Sequence, residues 1–213
     1  MTRSDRIRVP VLLSLALGIL SACAPLHADW PRVESHAKPP ARDTPAAAIA
    51  RPWLEDREGR SGFIPLPRGE DALGARLKLI EAARDTIDIQ YFLFKPGRSS
   101  DLFADRLIAA ADRDVRIRLL YDDVFTTLPD AGFAILDAHP NIDVRVFNPL
   151  VRGVPMPVGF VQGLMRSNRR MHNKVFIVDN AIAIVGGRNI ADEYFALDEA
   201  IEFADFDIGG LGP

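Results

Sequence analysis

The stretch HNKVFIVDNAIAIVGGRN, residues 172–189, decides how this chain is read. Val175, Phe176, Ile177 and Val178 form a short apolar, β-branched run. Asp179 and Asn180 then supply a turn, and Ala181, Ile182, Ala183, Ile184 and Val185 form a second apolar run. Asp and Asn tolerate the left-handed conformations of tight turns, so the stretch predicts two paired strands. On a strand, alternate side chains share a face, which places His172 and Lys174 together on one side. Gly186, Gly187, Arg188 and Asn189 then open a stretch read as helical.

Outward from this core, helices and strands alternate. Leu73, Leu77 and Ile80 recur at helical spacing behind Asp71, predicting a helix that ends near Arg84. Residues 86–94 and 115–121 alternate as strands, and Ser99 or Ser100 is placed to cap a helix running through Leu102, Phe103, Leu107 and Ala111. A short helix over 129–138 and a strand over 142–147 complete the series. The pattern predicts an α/β domain in which a mixed sheet is flanked by helices on both faces, an α-β-α sandwich. Residues 149–170, rich in Pro and Gly with apolar residues between them, read as a loop: a plain buried connection, or a cover for an acyl chain with Arg166, Arg169 and Arg170 near its phosphate.

Composition sets bounds on function. The 213 residues are 48% hydrophobic with a net charge of −3, so no global basic field advertises a nucleic-acid partner. A single cysteine, Cys23, excludes a disulfide framework. Arg3, Arg6 and Arg8 precede an apolar run from Val11 to Leu20, followed by Leu20, Ser21, Ala22 and Cys23. This resembles a bacterial lipoprotein signal over 1–22 that is cleaved before Cys23, whose thiol carries the lipid. Residues 23–60, rich in Pro and Ala, then read as a largely disordered tether, and 61–213 as one domain. The expected location is the cell envelope at the periplasmic face, the outer membrane before the inner.

His172 and Lys174 carry the chemistry. A phosphodiester resists water because its anionic oxygens repel nucleophiles and its leaving alkoxide is a strong base. A neutral imidazole attacks phosphorus where water does not, and a neighbouring ammonium neutralises the oxygens as charge grows. The spacing His-x-Lys-x-x-x-x-Asp over 172–179 fits that division of labour. Asp179, at a strand end beside a turn, is a candidate member of the site but reads first as a brace for the backbone. Asp122 and Asp123 follow a strand as a carboxylate pair, yet no third ligand stands at metal-binding spacing, so no metal and no cofactor are expected. His139, before Pro140, reads as a helix-end cap.

With the segments around Phe63, Ile89, Ile117 and Asp205, residues 169–195 resemble the N-terminal half of the C-type bacterial cardiolipin synthases in the phospholipase D superfamily. The resemblance spans 61–213. It implies a phospholipase D-like fold, phosphatidyl transfer or phosphodiester hydrolysis on phospholipids, and a phosphohistidine at His172. It assigns Lys174 and Asn189 as donors to the phosphate oxygens and an acidic partner for the imidazole, Asp207 or its competitor Asp205. Arg188 either reaches a lipid phosphate or covers the helix start, and Arg170 joins it as a candidate phosphate ligand. Family members carry two such motifs; residues 61–213, the span of the resemblance, carry one. The expected partners are therefore phospholipid, a membrane reached by the lipid anchor, and a second half-site from a homodimer or a separately encoded C-terminal half. Two other readings stand beside this one: a single-motif dimeric endonuclease, and an inactive fragment incomplete at its C-terminus.

Overall fold

Burial at every second position builds the sheet. Ile87, Ile89 and Tyr91 are matched on neighbouring strands by Ile117, Leu119 and Tyr121, by Phe176 and Val178, and by Ile182 and Ile184, all on one face and at most 8% exposed. Between them Asp88, Gln90, Arg118, Leu120 and Ile177 stay half-exposed on the other face. The computed structural model describes residues 34–55, 57, 59–150 and 169–212. Cys23 and the signal-like segment lie outside them.

Seven strands make one mixed sheet: β1 Gly62–Leu66, β2 Thr86–Tyr91, β3 Arg116–Asp122, β4 Ile142–Phe147, β5 Val175–Val178, β6 Ile182–Gly186 and β7 Asp207–Leu211, in spatial order β1-β7-β6-β5-β2-β3-β4. β2, β3 and β4 are parallel, and every other pairing is antiparallel. Among the described residues the helices are α1 Pro45–Leu54, α2 Gly69–Ala82, α3 Arg98–Ala111 and α4 Asp130–Asp137. α3 and α4 are the crossovers that parallel pairing requires. The α/β class and the mixed sheet expected from the sequence are present.

Two compact units divide the chain: Ser35–Phe147 with Met171–Pro213, and Met1–Glu34 with Asn148–Arg170. The first holds the sheet. In the second, Arg170 donates to the backbone carbonyls of Arg169 and Asn148, each at 2.8 Å.

Three local expectations are corrected. Residues 45–54, inside the segment read as a tether, form a helix: Thr44 caps it by accepting from Ala47 N at 3.2 Å, and Pro45 suits its first turn. Its small residues Ala46 and Ala50 are buried in the core, which the Pro- and Ala-rich composition concealed. The stretch after Asn189 is not a long helix but an isolated bridge from Ile190 to Phe94 and one 3₁₀ turn, Asp192–Tyr194. α3 is not capped by Ser99 or Ser100; the carboxylate of Asp192 accepts from the backbone of Arg98 at 2.9 Å and of Ser99 at 2.7 Å, and from the Ser99 hydroxyl at 2.6 Å.

Candidate active site

β5 runs antiparallel to β2, so the residues just before Val175 emerge at the carboxyl ends of the parallel strands β2 and β3. That edge is where open α/β sheets place ligands. His172 is exposed and Lys174 is only 6% exposed. The Lys174 ammonium lies 3.1 Å from His172 Nε2 and 3.1 Å from the His172 carbonyl. An ammonium can only donate, so Nε2 accepts, and the neutral ring carries its proton on Nδ1. Burial pushes the Lys174 ammonium below the ordinary lysine range, and Asp205 pulls it partly back. The two residues predicted to share a face are therefore in direct contact, although both precede the strand proper.

Phe92 supports the pair from behind. Its ring centroid is 4.6 Å from that of His172 at an interplanar angle of 59°, and Lys174 Nζ lies 5.1 Å from the ring centre. The sequence reading missed it, since Phe92 occupies a position of β-alternation that signals only a half-buried strand residue.

The start of the motif is held by Asp122. Its carboxylate accepts from Met171 N at 2.8 Å and from Val124 N at 3.0 Å. The doublet that suggested a metal or phosphate pair thus fixes the backbone entering His172. At the other end of the motif, Asp179 accepts from the backbone N–H groups of Arg84, Asp85 and Thr86 at 2.9–3.2 Å. Asp179 and Asn180 have φ of 52° and 50°, the mirror-image turn that a tight hairpin favours. Asp179 is fully buried. Of its two readings, the backbone brace is the one its contacts fill.

Gly186 and Gly187 let the end of β6 pass directly over two carboxylates: a Cβ on Gly186 would collide with Asp207, and one on Gly187 with Asp205. Asp207 is wholly buried and belongs to an arginine cluster. Arg76 donates to it at 2.9 Å, Arg188 N donates to its other oxygen at 3.3 Å, and the Arg188 guanidinium approaches at 3.5 Å. The carboxylate expected to hold the His172 ring thus has both oxygens engaged by arginines. Asp205 is the carboxylate whose charge reaches Lys174.

Arg188 is engaged as well. It is 2% exposed and spends its N–H groups on the carbonyls of Tyr194, Leu66, Pro67 and Asp205, which leaves it a clasp between β1 and the segment entering β7 rather than a phosphate ligand. Asn189 is buried beside it. Its oxygen accepts from Leu93 N at 3.3 Å and its amide donates to the Tyr194 hydroxyl at 3.0 Å. Arg76 escaped the sequence reading, though an arginine between Leu73 and Leu77 on an apolar helix face was the available signal. It also donates to the Tyr91 hydroxyl at 2.7 Å, and burial pushes that phenol upward, keeping it neutral. Among the described residues, no group of three or more His, Cys, Asp or Glu is arranged to hold a metal ion, and no helix is long and apolar enough to cross a membrane.

Known proteins resemble the chain at the level of both sequence and fold. The family model described as cardiolipin synthase, PLD-like domain, matches residues 77–204. Cardiolipin synthase C of Escherichia coli (strain K12) is 42% identical over 167 residues, covering 78% of this chain and 35% of that protein. Cardiolipin synthase A of Edwardsiella ictaluri (strain 93-146) is 29% identical over 172 residues, covering 72% and 32%. The chain thus spans about a third of the length of these relatives. Two solved structures share the fold with a TM-score of 0.50 each. NucT from Helicobacter pylori is 20% identical over 71% of this chain and 84% of that one. The phosphatidylserine synthase of Haemophilus influenzae Rd KW20 is 11% identical over 70% and 33%.

Proposed function

The chain belongs to the phospholipase D-like family of cardiolipin synthase domains, and from that premise we propose that it performs phosphatidyl transfer or phosphodiester hydrolysis on phospholipids through a phosphohistidine at His172. The observation that carries the reading is the 3.1 Å contact between the buried Lys174 ammonium and Nε2 of an exposed imidazole. It supports Nε2 as the atom that meets phosphorus, with the Lys174 charge beside the oxygens that grow negative.

In the first step Nε2 bonds to phosphorus and the phosphorus–oxygen bond to the departing alkoxide breaks, the alkoxide taking a proton from a second imidazolium. In the second, an alcohol or water attacks phosphorus, gives its proton to that second imidazole, and the phosphorus–nitrogen bond breaks. Asp205, whose charge reaches Lys174, is the proposed acceptor that orients the ring through Nδ1–H. The second imidazole comes from a second half-site, either another copy of the chain or a separate polypeptide. The reaction itself calls for it, because one imidazole cannot hold phosphorus and protonate the leaving oxygen at once.

Incubation with phospholipid labelled on phosphorus, followed by an alkaline detergent quench that preserves the acid-labile phosphorus–nitrogen bond, should mark His172, and His172→Ala should abolish both the label and turnover. Hydrolysis that survives His172→Ala sinks the assignment. We further propose that Cys23 carries a lipid and tethers the chain in the cell envelope, on the basic-then-apolar run that precedes it. Fatty-acid labelling in cells should follow Cys23 and vanish in Cys23→Ser; label that persists in that variant overturns the anchor.

A further inference from the structure

Beside the His172–Lys174 pair the site is apolar. Phe92, packed on His172, meets Phe125 at a centroid distance of 5.5 Å and an angle of 71°. Phe125 is 58% exposed. A single exposed aromatic is ordinary, but this one ends a continuous row of rings that begins on the imidazole.

Its backbone is also anchored on both sides. Val124 N donates to Asp122 Oδ1 at 3.0 Å, and the Thr126 hydroxyl donates to the Asp122 carbonyl at 2.7 Å. Phe94 N donates to that hydroxyl at 3.2 Å, and Thr127 N donates to the Phe94 carbonyl at 3.0 Å. Asp122, which fixes Met171 ahead of His172, is therefore the same residue that fixes the loop presenting Phe125. A ring held in place before a ligand arrives loses little freedom on binding, which is what a recognition surface needs.

We infer that Phe92 and Phe125 form a subsite for the apolar part of the substrate, the acyl-bearing glycerol next to the phosphodiester, with the phosphate held between His172 and Lys174. The inference rests on the proposed phosphodiester chemistry and adds the element that selects a lipid. Lys174 and His172 both lie against Phe92, and Phe125 lies beyond it, so the site passes from a cation and an imidazole to hydrocarbon rings. That order matches a molecule with one anionic group beside an apolar tail. A nucleic acid would also offer flat bases to the rings, but it brings a charge on every unit to a chain of net charge −3.

Binding to the full chain separates these sources without requiring turnover. Calorimetric titration would compare monomeric dihexanoyl phosphatidylglycerol, its deacylated counterpart glycerophosphoglycerol, and the dinucleotide of thymidine. The acylated ligand should bind about tenfold more tightly than the deacylated one. Phe125→Ser should remove that preference while leaving glycerophosphoglycerol binding unchanged, and Phe92→Leu should reduce it while retaining the fold by circular dichroism. An acyl preference undiminished in Phe125→Ser, equal affinity for both ligands in the unaltered chain, or a Phe125-dependent gain for the dinucleotide instead would each overturn the subsite. Loss of the phosphodiester reading looks different: glycerophosphoglycerol would bind equally well to Lys174→Met, whatever Phe125 does.

Discussion

Lys174 illustrates how a residue suited to the proposed reaction is unsuited to stability. Burial disfavours its charge, so the folded chain holds this proton less tightly than the unfolded chain does. The group therefore costs stability at every pH below its lowered value, and the cost fades as pH climbs from there into the ordinary lysine range. Activity runs the other way, because deprotonation strips the phosphate of its cation. Turnover should fall on the alkaline side at a pH below that range while stability rises over the same interval. Lys174→Arg should shift the alkaline fall upward, since guanidinium keeps its proton. Lys174→Met should lower turnover by about two orders of magnitude without lowering Tm. An alkaline limb that ignores Lys174→Arg would show that another group sets it. The pairing of His172 with Lys174 was legible because two residues two positions apart need only local extension to meet. The fate of Asp207 was not, because Arg76 lies 131 positions away and only the closed sheet brings them together.

Elements in this fold were legible where their own period governs them and opaque where a remote group does. β2 and β3 alternate in sequence and in burial alike, so their strands followed from residues 86–94 and 115–121 with ends displaced by up to three positions. The cap of α3 was opaque because Asp192 supplies it from 93 residues away, displacing the serines that local preference favours. Gly97 is the companion requirement, since a Cβ there would strike the Asp192 carboxylate. The bonds from Ser99 and Arg98 outweigh the opposing effect of burial and hold Asp192 below the usual carboxylate range. A depressed folded-state value stabilises the chain above the ordinary carboxylate pKa, and that contribution disappears as pH falls through the lowered one. Asp192→Ala should therefore cost about 1 kcal/mol near neutral pH, read as a Tm drop of roughly 2–4 °C. The unaltered and substituted chains should converge in acid. A constant difference down to the lowest pH would mean that packing of the 3₁₀ turn, rather than the cap, accounts for the loss.

At the scale of the whole molecule the question is where the second imidazole comes from, and mass action can answer it. Within residues 61–213 only His172 stands in a His-x-Lys spacing; His36 shares the spacing, but its Lys38 is paired with Asp85. If two copies build one site across a two-fold axis, each contributes one His172 and the interface is isologous. The specific activity of dilute protein should then rise with concentration and level off once the pair is fully formed. Mixing gives the sharper readout. Let unaltered and His172→Ala chains be combined and allowed to exchange at a fixed total concentration. When both imidazoles are needed, activity follows the square of the unaltered fraction, so an equal mixture retains about a quarter. If each chain works alone, or borrows its acid from a different polypeptide, the same mixture retains about half. Nucleophile and acid operate as a unit, so a hybrid site with one imidazole contributes almost nothing and cannot blur the two outcomes. Linear dilution together with concentration-independent specific activity would reject the two-copy site.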